Sequence, residues 1–169
     1  MTTEEAINSA IDFEKKVRDL YFDYWKKTED NTGKRILQVL GTEEQDHVNY
    51  LEFKLKQFKE KGRVKAEKIK TRIPSKERIQ SGLQKLEKRI TDKDLSNDLD
   101  LLKKALEMEK ESTAFYKTLV GELKGEEQKL FSNFLNIEEG HQAIVQAEID
   151  SIKGLGFWFD YKEFDLEAG

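Results

Sequence analysis

The sequence predicts an all-α protein, a four-helix bundle made of two helical hairpins joined by a long crossover. Three observations carry that prediction. A single proline, ten glycines and 38% charged residues favour helices over sheets. Four long stretches repeat apolar residues at a spacing close to 3.6. A polar pattern, a lone Glu followed by Tyr seven residues later and then by Glu-x-x-His, occurs twice in the same order. At 169 residues the chain fits one domain, 1–169, long enough to bury a core without staples.

The first helix is expected over about 3–27. Ile7, Ala10, Ile11, Val17, Leu20, Tyr21, Tyr24 and Trp25 form its apolar stripe, and Thr2 with Glu5 fits a capping box at its start. Glu14 falls inside the stripe and should face the core. Asp30-Asn31-Thr32-Gly33 reads as a turn, placing the second helix at about 34–61, with Leu40, Glu44, His47, Val48, Leu51, Leu55 and Phe58 on one side. Between 62 and 96 the periodicity weakens. Pro74 should break a helix there, and Ser75 can cap a short one running to Leu86 whose apolar side is Ile79, Leu83, Leu86 and Ile90. A connection of this length lets the helices it joins lie parallel, whereas short loops make antiparallel neighbours.

The third helix is expected over about 97–123, with Leu102, Ala105, Leu106, Ser112, Thr113, Tyr116, Leu119 and Val120 around Glu109. Lys124-Gly125 makes a turn. The fourth follows over about 126–153, its stripe holding Leu130, Phe131, Phe134, Leu135, Glu138, His141, Val145, Ile149 and Ile152, and Gly154 and Gly156 should end it. The tail, 154–169, contains Phe157-Trp158-Phe159-Asp160-Tyr161-Lys162-Glu163-Phe164. So aromatic a segment is expected to pack on the bundle, with a homodimer contact as the alternative.

Composition also excludes function classes. Without cysteine there can be no disulfide, thiolate metal site, Fe–S cluster or thiol nucleophile, so any metal must be held by oxygen and nitrogen. The start has no basic region followed by an apolar run, and no stretch approaches the roughly 20 apolar residues that span a bilayer, so a cytoplasmic protein without a membrane partner is expected. Lys54 to Arg89 carries fourteen Lys or Arg against four Asp or Glu, a net of +10 in a chain of net −4. The simple reading is a solvated helix end and connection; the sharper one is an anion or partner surface. Nucleic acid is disfavoured, because Phe58 is not accompanied by further aromatics that would stack bases.

Both histidines of the chain lie three residues after a glutamate, in Glu44-x-x-His47 and Glu138-x-x-His141. On a helix this spacing puts carboxylate and imidazole on one face, a turn apart. Each half adds one lone carboxylate, Glu14 with Tyr21 or Glu109 with Tyr116. Two hairpins so built bring four Glu and two His to one bundle centre, the ligand set of ferritin-like di-iron and di-manganese proteins. Two divalent cations about 3.5–4 Å apart repel each other, and four carboxylates neutralise their charge while two of them bridge. Oxygen-rich ligation with one imidazole per metal suits two Fe ions; Mn takes the same donors, and Zn is a substitute. The competing readings are buried ion pairs with Arg or Lys for Glu14 and Glu109, and core fillers for Tyr21 and Tyr116 rather than residues that orient the ligands. Glu43, Glu107, Glu111 and Glu139 are expected to face solvent.

In these four motifs, taken in order, the chain resembles the rubrerythrin-like branch of the ferritin-like superfamily. The resemblance implies that Glu44 and Glu138 bridge the metals, that Glu14 and Glu109 are terminal carboxylates, and that His47 and His141 bind one metal each. The Gly-Phe-Trp-Phe-Asp segment near the C-terminus also looks like the tail of small members of this branch. An oxidoreductase acting on O2 or H2O2 is implied, with an iron-binding, ferroxidase or storage-type protein as the alternative and a non-catalytic bundle with a basic partner surface as the third reading. Two departures stand out. Rubrerythrins carry a cysteine-rich rubredoxin domain, absent here, so a separate rubredoxin-like donor or reductase is implied. They also place a further Glu three residues after the third-helix ligand, where this chain has Ser112.

Overall fold

A computed structural model describes residues 1–86 and 93–161. Its helices are α1 (Thr3–Lys27), α2 (Asn31–Lys61), α3 (Lys76–Lys85), α4 (Ser96–Glu122) and α5 (Gly125–Leu155). The expected four-helix bundle is present. α1 packs chiefly on α2 and α4 on α5, giving two hairpins, while α1 also meets α4 and the short α3 lies against α5.

Local chemistry accounts for the boundaries. Thr2 caps α1 in a full capping box with Glu5. α2 begins at Asn31, earlier than the expected turn allowed, because the Asp30 carboxylate accepts from the Gly33 amide and turns Asp-Asn-Thr-Gly into a helix start. Ser75 caps α3 through the Arg78 amide, and α3 ends where Leu86 turns to extended backbone. Ile90, expected on the apolar side of this helix, lies outside the described residues. α5 runs through Gly154 and stops at Gly156, whose left-handed φ of 83° suits glycine.

The core falls into two apolar clusters. One holds Val17, Tyr21, Leu40, Leu102, Leu106, Ile144 and Val145; the other holds Ile7, Ala10, Leu51, Tyr116, Leu119, Leu130 and Phe134. Along every long helix the change from one cluster to the other occurs at a buried acid: Glu14 on α1, Glu44 on α2, Glu109 on α4 and Glu138 on α5. The order of the clusters also gives the helix directions. α1 and α5 run one way and α2 and α4 the other, so the crossover joins two parallel helices as its length predicted.

The crossover leaves α2 at Gly62, where φ is 68°. Val64, Ala66 and Ile69 pack on the second cluster and Ile73 and Ile79 on the first, so this segment travels back along the bundle past the acidic layer. The described part of the tail packs on the bundle, with Trp158, Phe159 and Tyr161 buried. Trp158 Nε1 donates to Asp98, which also accepts from Thr28, and the Trp158 ring lies so close to Gly33 that a Cβ there would come within 2.6 Å. Lys162–Phe164 of the expected tail lie outside the described residues. No described helix is long and apolar enough to cross a membrane.

Candidate metal centre

The layer that divides the core brings together all six residues singled out in the sequence. Glu14, Glu44, His47, Glu109, Glu138 and His141 are all essentially inaccessible to solvent. They form two groups in which donor atoms lie within 4.8 Å of one another: Glu14, Glu44, His47 and Glu138, and Glu44, Glu109, Glu138 and His141. Glu44 and Glu138 belong to both. The imidazoles face each other nearly parallel, with centroids 5.8 Å apart and planes 10° apart.

Each ring turns Nδ1 toward the acids. His47 Nδ1 lies 3.2 Å from Glu44 Oε2, 3.3 Å from Glu14 Oε2 and 3.7 Å from Glu138 Oε1. His141 Nδ1 lies 2.8 Å from Glu44 Oε1, 3.8 Å from Glu109 Oε1 and 3.9 Å from Glu138 Oε1. The tyrosines cross between halves: Tyr21 donates to Glu109, and Tyr116 donates to Glu14. Both therefore touch the acids rather than simply fill core. Among the described residues Glu14 and Glu109 face His47 and His141, at 3.3 and 3.8 Å, rather than a lysine or arginine.

Electrostatics show how crowded the layer is. Burial, then repulsion from Glu44, pushes Glu14 up to about 8. Burial and the charge of Glu138 hold Glu109 well above the usual carboxylate range, and burial with the charge of Glu14 raises Glu138. Glu44 lies below its ordinary value: burial and Glu138 act against this, but are outweighed by contacts with His141 and Glu14. Both imidazoles are pushed well up, because the surrounding carboxylates outweigh the burial that disfavours their charge. Burial and mutual repulsion thus hold three of the four central acids toward their protonated forms. Cations would replace those protons.

The donor set fits metal ions on further grounds. Glu109 Oε2 and Glu138 Oε1 are buried without an amine, amide or hydroxyl donor among the described residues, so only a proton shared between the two carboxyls or a cation can satisfy them. The donors are oxygen-rich with one imidazole per group, the ligation that suits iron or manganese. A model of the rubrerythrin family matches residues 5–149. The chain belongs to the rubrerythrin family. Neither the curated proteins nor the solved structures yield a match. Membership implies iron binding, and all four motifs lie inside the matched span. At the rubrerythrin position of the further Glu, Ser112 donates to Glu138 Oε2 at 2.9 Å, so a hydroxyl holds the neighbouring acid where the family would bring another one.

One participant corrects the sequence reading. Glu43, expected to face solvent, is 2% exposed and places Oε2 2.7 Å from His141 Nε2. It also accepts from the Thr71 hydroxyl and the Arg72 amide of the crossover. The signal was present but faint: on a helix, position 43 lies only about 40° from position 47, at the edge of the inward face. The crossover that covers this edge comes from elsewhere in the chain. Glu107 and Glu111 do face solvent, and Glu139 is half-buried.

Proposed function

We propose that the protein holds two iron ions between its helices and is an oxidoreductase that reduces O2 or H2O2 with electrons from a separate donor. The observation that supports this most strongly is the sharing of Glu44 and Glu138 by both donor groups, since two carboxylates common to both positions are what a bridged metal pair needs. Glu14 and His47 complete one position, and Glu109 and His141 the other. Manganese takes the same donors, and zinc is a substitute. Bound there, the metals supply two-electron redox chemistry toward dioxygen or peroxide.

The chain's own groups prepare that site. The phenols of Tyr21 and Tyr116 hold the terminal carboxylates, so Glu109 and Glu14 each keep one oxygen fixed while the other stays available. Ser112 fixes Glu138 in the same way. Phe134 makes a T-shaped contact with His47 at 5.3 Å and stacks on Tyr116 at 5.3 Å, so the His47 side is walled by aromatic rings. With no cysteine in the chain, the electrons come from a rubredoxin-like protein or a reductase.

Ser112 favours a second reading, iron binding with ferroxidase or storage activity, because the acid associated with peroxide reduction in the family is replaced. One experiment separates the two. Protein loaded anaerobically with Fe(II) is mixed with H2O2 and a reduced rubredoxin-like donor. Repeated oxidation of the donor supports the first reading; a single round of Fe(II) oxidation with ferric iron retained supports the second. Metal content unchanged by Glu44→Ala and His47→Ala would overturn both and leave a non-catalytic bundle.

A further inference from the structure

The two imidazoles have different backing. His141 Nε2, the nitrogen turned away from the acids, meets Glu43 Oε2 at 2.7 Å. Glu43 is itself anchored: Oε1 accepts from the Arg72 amide, the Thr71 hydroxyl lies 3.0 Å from both oxygens, and Arg72 Nη1 reaches Asp46 on the next turn at 3.3 Å. His47 Nε2 is buried with no hydrogen-bond partner among the described residues. The place of Glu43 in the second half belongs to Ile137, one residue before Glu138 as Glu43 is one residue before Glu44, and Ile137 can accept nothing.

We propose that Glu43, anchored on the crossover, is a positioning residue for His141 and makes the two metal positions unequal, the His141 side binding more tightly and filling first. The inference rests on the dinuclear reading above. An acid that accepts the Nε2 proton fixes the tautomer with the Nδ1 lone pair toward the centre, holds the ring plane and makes Nδ1 a better donor. Loss of such a partner lowers metal affinity about 10–100-fold. His47 has no such brace, so its position depends on packing against Phe134 and on the carboxylates alone.

The test is a stepwise Co(II) titration of the metal-free full-length chain, followed by calorimetry and by the visible spectrum of each equivalent. The wild type is expected to bind in two unequal steps, the tighter one kept in His47→Ala and lost in His141→Ala. Glu43→Gln should weaken that step by about 10–100-fold and shift the spectrum of the first equivalent while leaving the weaker step nearly unchanged. Thr71→Val, which loosens the anchor and leaves Glu43 and His141 in place, should weaken the same step less and serves if Glu43→Gln does not fold. Equal steps in the wild type, first occupancy at His47, or an equal loss at both steps in the variant would each overturn the proposal. A wild type that takes up no Co(II) in either step would instead defeat the dinuclear reading itself.

Discussion

In the first hairpin the histidine Nε2 is buried with no hydrogen-bond partner among the described residues; in the second, Nε2 meets a carboxylate tied to two crossover residues. Closer to the centre the halves share the exchanged Tyr–Glu hydrogen bonds, and they differ at the Ser112 hydroxyl that donates to Glu138, whose equivalent in the first half is the apolar Val17. The difference follows from topology. Two hairpins can be related by an approximate two-fold, but the chain that joins them exists once and passes the acidic layer on one side only. Duplication supplies a nearly symmetric donor set, and connection makes it unequal.

The same rule appears one step further out. Ten residues after Glu44 lies Lys54, and ten residues after Glu138 lies Glu148; both are fully buried. Each fastens the segment that follows its helix. Lys54 donates to the Lys65 carbonyl at 2.6 Å, and Glu148 accepts from the Phe159 amide at 3.1 Å. Equivalent positions thus carry opposite charge types because one segment offers a carbonyl and the other an amide.

The largest effect should come from residues common to both donor groups. Glu44→Ala or Glu138→Ala is expected to take bound iron from two ions per chain to well below one, whereas His47→Ala or His141→Ala should retain about one, as read by elemental analysis after iron loading. Equal loss in all four variants would break the comparison.

Next in size is the pH dependence of the metal-free protein. Glu14, pushed up to about 8, and Glu109 and Glu138, also raised in the folded state, contribute stability that is fully present below about 4.5 and is lost as pH rises, for Glu14 through about 8. The raised His47 and His141 act in the same direction above their ordinary range. Glu43 and Glu44, being lowered, lose their contribution only as pH falls below about 4.5. The urea midpoint of chelator-treated protein should therefore fall from pH 5.5 to pH 8 by an amount worth several kcal/mol, and iron loading should flatten the dependence. A metal-free protein that gains stability over this interval would contradict the account.

Tyr21→Phe and Tyr116→Phe each leave a buried carboxylate oxygen without its donor. Each should cost about 1–3 kcal/mol in urea unfolding of the metal-free protein, by similar amounts if the halves are alike. A clearly unequal pair of losses would show that the asymmetry reaches the donors themselves. The smallest effect is expected at Glu148, whose carboxyl burial holds well above the ordinary range. Glu148→Gln should gain on the wild type as pH rises, since the amide has no proton to lose, and denaturation midpoints at pH 6 and pH 8.5 would show the gain.

Most of this was legible in the sequence. The 3.6-residue spacing located the four long helices, and the repeated Glu, Tyr and Glu-x-x-His pattern located the acidic layer, because a carboxylate inside an apolar stripe has nowhere to point but inward. What was not legible depended on groups brought from a distance. Glu43 lies at the rim of the inward face, and whether the rim is wet depends on the path of residues 71–72. Lys54 and Glu148 lie at the ends of their stripes, where charge ordinarily means exposure. The start of α2 was hidden because Asp-Asn-Thr-Gly makes both turns and helix caps; the Gly33 amide bonded to Asp30 decides for the cap.

The most direct test of the central claim is an anomalous difference map from crystals of the full-length protein loaded with Mn(II) or Fe(II). The account predicts two peaks about 3.5–4 Å apart in the layer between the core clusters, one beside Nδ1 of His47 and one beside Nδ1 of His141, with Glu44 and Glu138 between them. A single peak elsewhere, or no peak in that layer, would contradict it.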